Sequence, residues 1–314
     1  MDEREFAILA GHSWPQPIGS ASVITKLRWI LSNLYLLERN LKWWRSGLSL
    51  RLRLSYYPAM AASFADLVLR RKRVRYLGRT FVFDNAATPM NLQVYPYEVG
   101  HMILRHVGPG DSIRSVLDVG GNLGQFAVTL KHYLPAAALD VIEPNTAVMP
   151  LLRRNVEGLE GVRVFDRALS PSPVVSMFYE PGRSCSGSLM RQNVRPRQGV
   201  VEMEVSSSDD IVKLTGRADY DLVKVDVEGY EFEVLKCLAG LRPRYMFLEL
   251  ATQRTRSYLH SEIFELLRAM FGEFDILAQD AFDHPAKNFD VMLRFFPTPS
   301  SLEEPAAIRE AAAR

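Results

Sequence analysis

Cysteine is nearly absent from this 314-residue chain, which holds only Cys185 and Cys237. The two stand far apart and form no C-x-x-C, so neither a disulfide framework nor a zinc site is expected, and a reducing compartment fits. No apolar run reaches the roughly eighteen residues that a membrane span needs. The opening MDEREFAILAGHSWPQP lacks a basic start and an apolar stretch of signal-peptide type, so the expected location is cytoplasmic. No G-x-x-x-x-G-K-S/T occurs, which argues against a P-loop nucleotidase, and no internal repeat is found. What remains is an ordinary globular composition, 24% charged and 47% hydrophobic. The formal net charge of +2 conceals an asymmetry: Val23 to Arg79 carries thirteen Lys or Arg against only Glu38 and Asp66.

The densest information lies in Val116 to Ala127, VLDVGGNLGQFA. An apolar run ends in Gly120, Gly121 and Gly124, and an amphipathic segment then opens with Phe126, Val128 and Leu130. That pattern predicts a buried strand, a tight turn and a helix N-terminus, where backbone approaches a nucleotide closely. Asn122 takes the place of a middle glycine and is among the residues that tolerate left-handed backbone. Nineteen residues beyond Gly124, Glu143 ends a second apolar run, at a distance suited to accepting both ribose hydroxyls of an adenosine. Asp118 at the strand end would repel a pyrophosphate but suit a cation. S-adenosylmethionine carries a sulfonium and an ammonium and no phosphate, so the loop favours it over a nicotinamide dinucleotide.

A second motif, Asp219 to Glu231, reads DYDLVKVDVEGYE: a buried strand ending in Asp226 and Glu228, then Gly229. Together with DVGGNLGQF, Glu143-Pro144-Asn145, Asn155 and Ala168-Leu169-Ser170, it resembles the FkbM-type methyltransferases, over about Glu98 to Glu249. The resemblance implies a class I, Rossmann-like, S-adenosylmethionine-dependent enzyme. Such enzymes generally methylate hydroxyls of sugars, glycolipids or polyketide-derived rings. It also draws attention to Glu98, which matches a recurrent family glutamate. Two departures are visible: Gly121 stands where the family often has alanine, and Ser206-Ser207-Ser208-Asp209-Asp210 replaces a more usual Thr-Leu-Asp run.

Along the chain, apolar residues at helical spacing predict helices over 23–45 and 58–71, and Val74 to Phe83 reads as a hairpin around Gly78. A helix from Tyr97 to His106 is expected to lead into the glycine loop. Strands are then predicted near 115–119, 138–142, 162–167, 221–226 and 244–249, and helices near 123–133, 146–157, 229–239 and 258–270. This alternation predicts an α/β fold: a seven-stranded, mostly parallel sheet with helices on both faces and one antiparallel strand. Segments 174–179 and 201–206 read as an inserted hairpin joined by a long loop, Glu180 to Gly199, of the kind that serves as a lid. Runs 274–277 and 291–296 should close the sheet. The expected domains are a basic helical extension with a hairpin (1–95), a methyltransferase domain (96–296) and a tail (297–314).

The candidate cofactor residues are Glu98, Asp118, Gly120, Gly121, Asn122, Gly124, Glu143, Pro144, Asp166, Ala168 and Asp226. The candidate catalytic residues are Asp226, as the carboxylate that activates a hydroxyl, and Glu228 and Glu249, at the strand ends where ligands bind in open parallel sheets. No metal site is indicated, although Mg²⁺ assistance is a second chemical route. The expected acceptor is a small molecule or glycolipid. The basic segment with Trp43 and Trp44 suggests a peripheral membrane contact, or, in a competing reading, a phosphate grip for nucleic-acid methylation. The absence of N-P-P-Y or D-P-P-Y after the fourth strand speaks against methylating a base amine, so no nucleic-acid partner is expected. A cofactor-binding scaffold without activity is the remaining alternative.

Overall fold

The computed structural model describes residues 72–83, 92, 94–108, 110–180, 183–191, 194, 199–251, 260–281 and 289–296. The two helices expected over 23–45 and 58–71, with Trp43 and Trp44, and the tail from 297 lie outside the described residues. The chain divides into two units, Met1–Tyr97 and Glu98–Arg314.

In the first unit, β1 (Arg73–Tyr76) and β2 (Arg79–Val82) form the expected antiparallel hairpin. Its turn places both Leu77 and Gly78 at positive φ, the backbone that suits a two-residue hairpin connection. The Tyr76 ring meets Phe81 edge-on, and its hydroxyl donates to the Leu92 carbonyl at 3.0 Å. A single helical turn, α1 (Val94–Tyr97), closes the described part of this unit.

The second unit is built on one seven-stranded sheet. Its strands are β3 (Ser115–Val119), β4 (Ala138–Ile142), β5 (Val162–Phe165), β10 (Asp219–Val225), β11 (Arg242–Leu250), β12 (Phe274–Ala281) and β13 (Phe289–Phe295). They lie in the order β12-β13-β11-β10-β3-β4-β5. β5, β4, β3, β10 and β11 pair in parallel, and β13 runs antiparallel to both of its neighbours. The sheet is therefore the expected one, with a single reversed strand and the 116–119 run near its centre. Helices α2 (Gln125–Tyr133), α3 (Met149–Val156), α5 (Glu231–Lys236) and α6 (His260–Phe271) follow β3, β4, β10 and β11 in the sequence. The central strands are buried almost residue by residue, Val116 to Val119, Leu222 to Val225 and Tyr245 to Leu248, as strands covered on both faces must be. The main apolar core holds Leu117, Val223, Met246, Leu248, Val234, Leu238, Ile263 and Leu267 on one side of them.

Three features depart from the sequence expectation. The helix expected from Tyr97 to His106 is uneven: α1 gives way to wide turns at Glu98–Ile103 and a tight one at Leu104–His106. Pro96 and Gly100 within that stretch supply no regular helix propensity. The supposed loop from Glu180 to Gly199 contains a strand, β8 (Arg183–Ser188). Its small polar residues have weak strand propensity, but pairing with β7 (Val174–Glu180) overrides that. β7 also pairs with β9 (Val201–Ser208), and β6 (Ala168–Leu169) completes a small sheet in the order β6-β9-β7-β8. Third, the short helix α4 (Ile211–Thr215) follows the serine-rich run. Asp210 caps it by accepting from the Val212 and Lys213 amides at 2.9 and 3.0 Å, and Gly216 ends it at positive φ.

Away from the carboxyl edge, a charged group on β4 interrupts the apolar interior. Asp140 on β4 is buried and accepts from Arg163 through two bonds of 2.6 and 2.7 Å, and from the buried Tyr220 hydroxyl at 2.6 Å. Tyr220→Phe removes a hydrogen bond to a charged acceptor while Arg163 stays in place. It should lower unfolding free energy by about 2 kcal/mol, read from urea denaturation with an unchanged m-value.

Candidate active site

The carboxyl ends of β3, β4 and β10 are tied together by backbone. The amides of Gly120 and Gly121 both donate to the Ile142 carbonyl at 3.0 Å, and the Asp226 amide donates to the Val119 carbonyl at 3.0 Å. Gly120 has φ +90, and a Cβ there would lie 1.8 Å from the Asp226 carbonyl oxygen, so only glycine lets the two strand ends meet. A Cβ on Gly121 would fall 2.1 Å from Val141 Cγ1, which accounts for the glycine at this family-variable position. Asn122 adopts φ +47, as its residue type allows. Gly124 opens α2, and the Asn155 side chain of α3 donates to the Leu123 carbonyl at 2.8 Å, closing the loop from below.

Glu143, just past β4, is buried and held in a fixed orientation. One carboxylate oxygen accepts from the Asn122 amide and the other from the Asn145 amide, each at 2.7 Å. Burial raises its carboxyl to about 7 against the pull of those two amides. The Glu143 amide donates to Phe165 at 3.1 Å, which brings the end of β5 alongside, with Asp166 half-buried and Ala168 buried. Pro144 is half-buried between Glu143 and Asn145. Two buried polar atoms on this rim, Asn122 Oδ1 and Asn145 Nδ2, have no hydrogen-bond partner. They are the sort of groups that a polar ligand satisfies.

Strand register places a second set of charges on one face of the sheet. Lys224 on β10 lies directly across from Asp118 on β3, and two residues on, Asp226 shares that face. The same face continues through Phe247 and Glu249 on β11, and Glu249 lies across from Asp290 on β13. Lys224 and Asp118 are buried completely enough to leave them 1% and 0% exposed. The Lys224 Nζ lies 2.9 Å from Asp226, 3.8 Å from Asp118, and 5.4 Å from the Phe126 ring centroid. Burial alone would push this ammonium down, but Asp226, Asp118 and Glu98 outweigh it and hold it above the usual lysine value.

The carboxyls around it respond in the opposite sense. Burial raises Asp118 to about 6, with Lys224 opposing and Asp226 reinforcing. Burial raises Glu98 to about 8, helped by Asp290, Asp226 and Asp118. Glu98 sits on the wide-turned segment that packs against α2 and β13, and its Oε2 has no hydrogen-bond partner. Glu249 is raised well above the ordinary value by burial and by Asp226, Asp290, Glu228 and Glu98. Glu228 follows at φ +54, with Gly229 at φ +99 after it. Its carboxyl is raised by the protein packed around it and by Asp226 and Glu231, although its contact with solvent tempers the rise. Glu231 has a different task, accepting from the Gly229 amide at 2.8 Å to fix the turn into α5.

The structure thus gathers Glu98, Asp118, Asp226, Glu228 and Glu249 at one edge. Gly120, Gly121, Asn122, Gly124, Glu143 and Pro144 adjoin it, and Asp166 and Ala168 stand on the β5 side. Sequence reading gave no role to Lys224 or Asp290. A lysine inside the apolar run Leu222-Val223-Lys224-Val225 was the available signal, since a strand buried on both faces has no solvent for an ammonium. Asp290 carried none. Among the described residues, no group of three or more His, Cys, Asp or Glu side chains is disposed to hold a metal ion. Among them too, no helix is long and apolar enough to cross a membrane.

A family model described as the methyltransferase FkbM domain matches residues 118–271. Methyltransferase sdnD of Sordaria araneosa is 30% identical over 152 residues, 38% of this chain and 59% of that protein, so the chain spans under two thirds of its length. Methyltransferase 1 of Beauveria bassiana (strain ARSEF 2860) is 25% identical over 177 residues, 50% of this chain and 71% of that protein. The crystal structure of methyltransferase FkbM from Methylobacillus flagellatus KT is similar with a TM-score of 0.42 and 12% identity, over 74% of this chain and 58% of that one.

The raised Glu98 carboxyl sets a sign for stability against pH. The native protein binds a proton there from the unfolded value of 4.5 up to about 8, where the unfolded chain has already released it. Stability therefore falls as pH rises through that window. Denaturation at pH 5 and pH 8 should show the wild type less stable at pH 8, and Glu98→Gln should shrink the difference by about 1 kcal/mol or more.

Proposed function

We propose that this chain, which matches the methyltransferase FkbM domain over residues 118–271, moves a methyl group from S-adenosylmethionine to a hydroxyl of a sugar, glycolipid or polyketide-derived ring. The observation that carries the proposal is the charge of the strand edge. Asp118, Asp226, Glu228, Glu249, Glu98 and Asp290 gather around a single buried ammonium, Lys224. Such an edge repels a pyrophosphate or a nucleic-acid backbone and attracts a sulfonium and an ammonium. That chemistry favours S-adenosylmethionine over a dinucleotide and a small neutral alcohol over RNA.

The residues present fit this cofactor. Glu143, pinned by two amides, presents carboxylate oxygens to ribose hydroxyls. Asn122 Oδ1 and Asn145 Nδ2 offer an acceptor and a donor without internal partners beside it. The acids Asp118 and Asp226 supply the negative field for the methionine end, and a nearby cation favours ionisation of Glu98 beside them. Bound there, the cofactor supplies an electrophilic methyl group and its own leaving group, so the protein must hold the acceptor oxygen in line and take its proton. Asp226 is committed to Lys224 at 2.9 Å and fixes charge at the reacting end. Glu228, in contact with solvent and with its proton affinity raised, is the better placed base, and Glu249 beside it is suited to orienting the acceptor hydroxyl.

Radiolabelled S-adenosylmethionine offered with sugars, glycolipids, polyketide-derived alcohols and RNA, each with and without EDTA, tests the reading. Label should enter an ether methyl group on one of the alcohols and resist EDTA. Label confined to RNA or to nitrogen would overturn it. Glu228→Gln should lower turnover by about 10²–10⁴-fold while cofactor affinity changes little.

Ribose hydroxyls donate to the ionised form of Glu143, whose carboxyl is raised to about 7. Cofactor affinity should accordingly rise as pH rises from 6 to 8, by about tenfold, and level off above. Calorimetry on Glu143→Gln should show the slope reduced and affinity at pH 8 lowered about tenfold or more.

A further inference from the structure

We propose that Ser188, on the inserted small sheet, is a positioning residue that holds the Glu228 turn in its active geometry. The inference rests on Glu228 acting as the base. Glu228 is one of three described non-glycine residues at positive φ, and it is followed by Gly229, also at positive φ. A glutamate gains nothing locally from that backbone, so neighbouring structure must impose it. The Ser188 hydroxyl, 3% exposed, donates to the Glu228 carbonyl at 2.9 Å and accepts from the Met190 amide at 3.0 Å. A second bond joins the same regions: Ser170, just beyond β6, pairs with the Tyr230 hydroxyl at 3.2 Å. Within the turn itself, Glu231 accepts from Gly229. The turn is thus gripped from the small sheet at Glu228 and Tyr230 and from α5 at Gly229. Sequence position gives Ser188 no relation to the motif forty residues later, yet its side chain bonds the Glu228 backbone.

The consequence concerns where the Glu228 carboxyl stands among the charges that face it, Asp226, Glu231, Glu249 and Lys224. Released from Ser188, the turn can relax toward ordinary backbone and carry the carboxyl further into water. Its proton affinity then moves down toward that of a free glutamate, and it leaves the line of attack on the acceptor.

The test combines a double-mutant cycle with a titration on the full chain. Methyl transfer is followed from radiolabelled S-adenosylmethionine to the best alcohol of the panel above. Ser188→Ala should lower turnover about tenfold, shift the acid limb of the pH–rate profile downward, and leave cofactor affinity unchanged; Ser188→Thr, which keeps the hydroxyl, should restore most of the rate. In the Glu228→Gln background, Ser188→Ala should cost nothing more, because the residue it positions is gone. Carbon-13 carboxyl NMR, with the Glu228 resonance identified by its loss in Glu228→Gln, should show the same downward shift in Ser188→Ala without any acceptor. Equal turnover and titration in Ser188→Ala and wild type, or costs that add in the double variant, would overturn the inference while leaving Glu228 as base. A Glu228→Gln variant with full activity would instead overturn the base assignment beneath it. If Ser188→Ala does not fold, the titration and pH profile of Ser188→Cys, which fills the same space with a much weaker donor, decide, and profiles identical to wild type count against positioning.

Discussion

One buried ammonium organises the functional end of this protein. Lys224 lies in a central strand whose neighbours are apolar, where an unpaired charge would cost several kcal/mol. It is tolerable only because Asp226 and Asp118 stand beside it, and they in turn are tolerable only because of Lys224. Glu98 and Asp290 feel the same centre from a helical turn and from the reversed strand. One cation cannot neutralise all of these carboxyls, so Glu98 and Glu249 hold protons more tightly than free glutamates do. The excess of acid is therefore not a defect of packing. It is the part of the edge that the proposed sulfonium cofactor would complement.

The backbone below this cluster is as restrictive as the charges above it. Gly120 sits against the Asp226 carbonyl with no room for a side chain, which fastens the first motif to the second across the β3–β10 pair. Glu143 reaches back to Asn122 and so adds β4 to the assembly. Three strand ends, each carrying a candidate carboxylate, are in this way held together by backbone contacts and by the Glu143 side chain. Rigid placement of this kind suits the proposed methyl transfer, which depends on alignment and a proton acceptor.

Most of the sheet was legible because parallel strands buried on both faces leave continuous apolar runs, and each carried its glycine or acid at the carboxyl end. Gly120, Asn122, Gly124 and Glu143 were legible for the same reason: turn chemistry and spacing are local. Lys224 was overlooked because strand patterning reads a lysine as solvated, and only the register opposite Asp118 shows that it is not. β8 was read as a loop because serine and glycine predominate in it, while its order comes from pairing with β7. The irregular helix at Glu98–Ile103 likewise depends on what it covers, β13 and α2, and not on its own periodicity. Site residues that depend on non-local pairing, Asp290 and Ser188 among them, leave no trace in a local pattern.

The Lys224–Asp118 alignment also bears on how the sheet finds its pairing. Shifting a strand by one residue sends every side chain to the opposite face. Apolar runs such as Leu222-Val223 and Val116-Leu117 penalise such a slip only weakly, since both faces are apolar and valine and leucine are nearly interchangeable there. A slip of β10 would instead drive an ammonium into the cluster of Leu117, Val223, Met246 and Leu248, and would strand Asp118 without its counter-charge. The charged pair thus acts as a proofreading mark in an otherwise ambiguous stretch of sheet, and the same residues that set the charge of the candidate site make the alignment of its central strands unique.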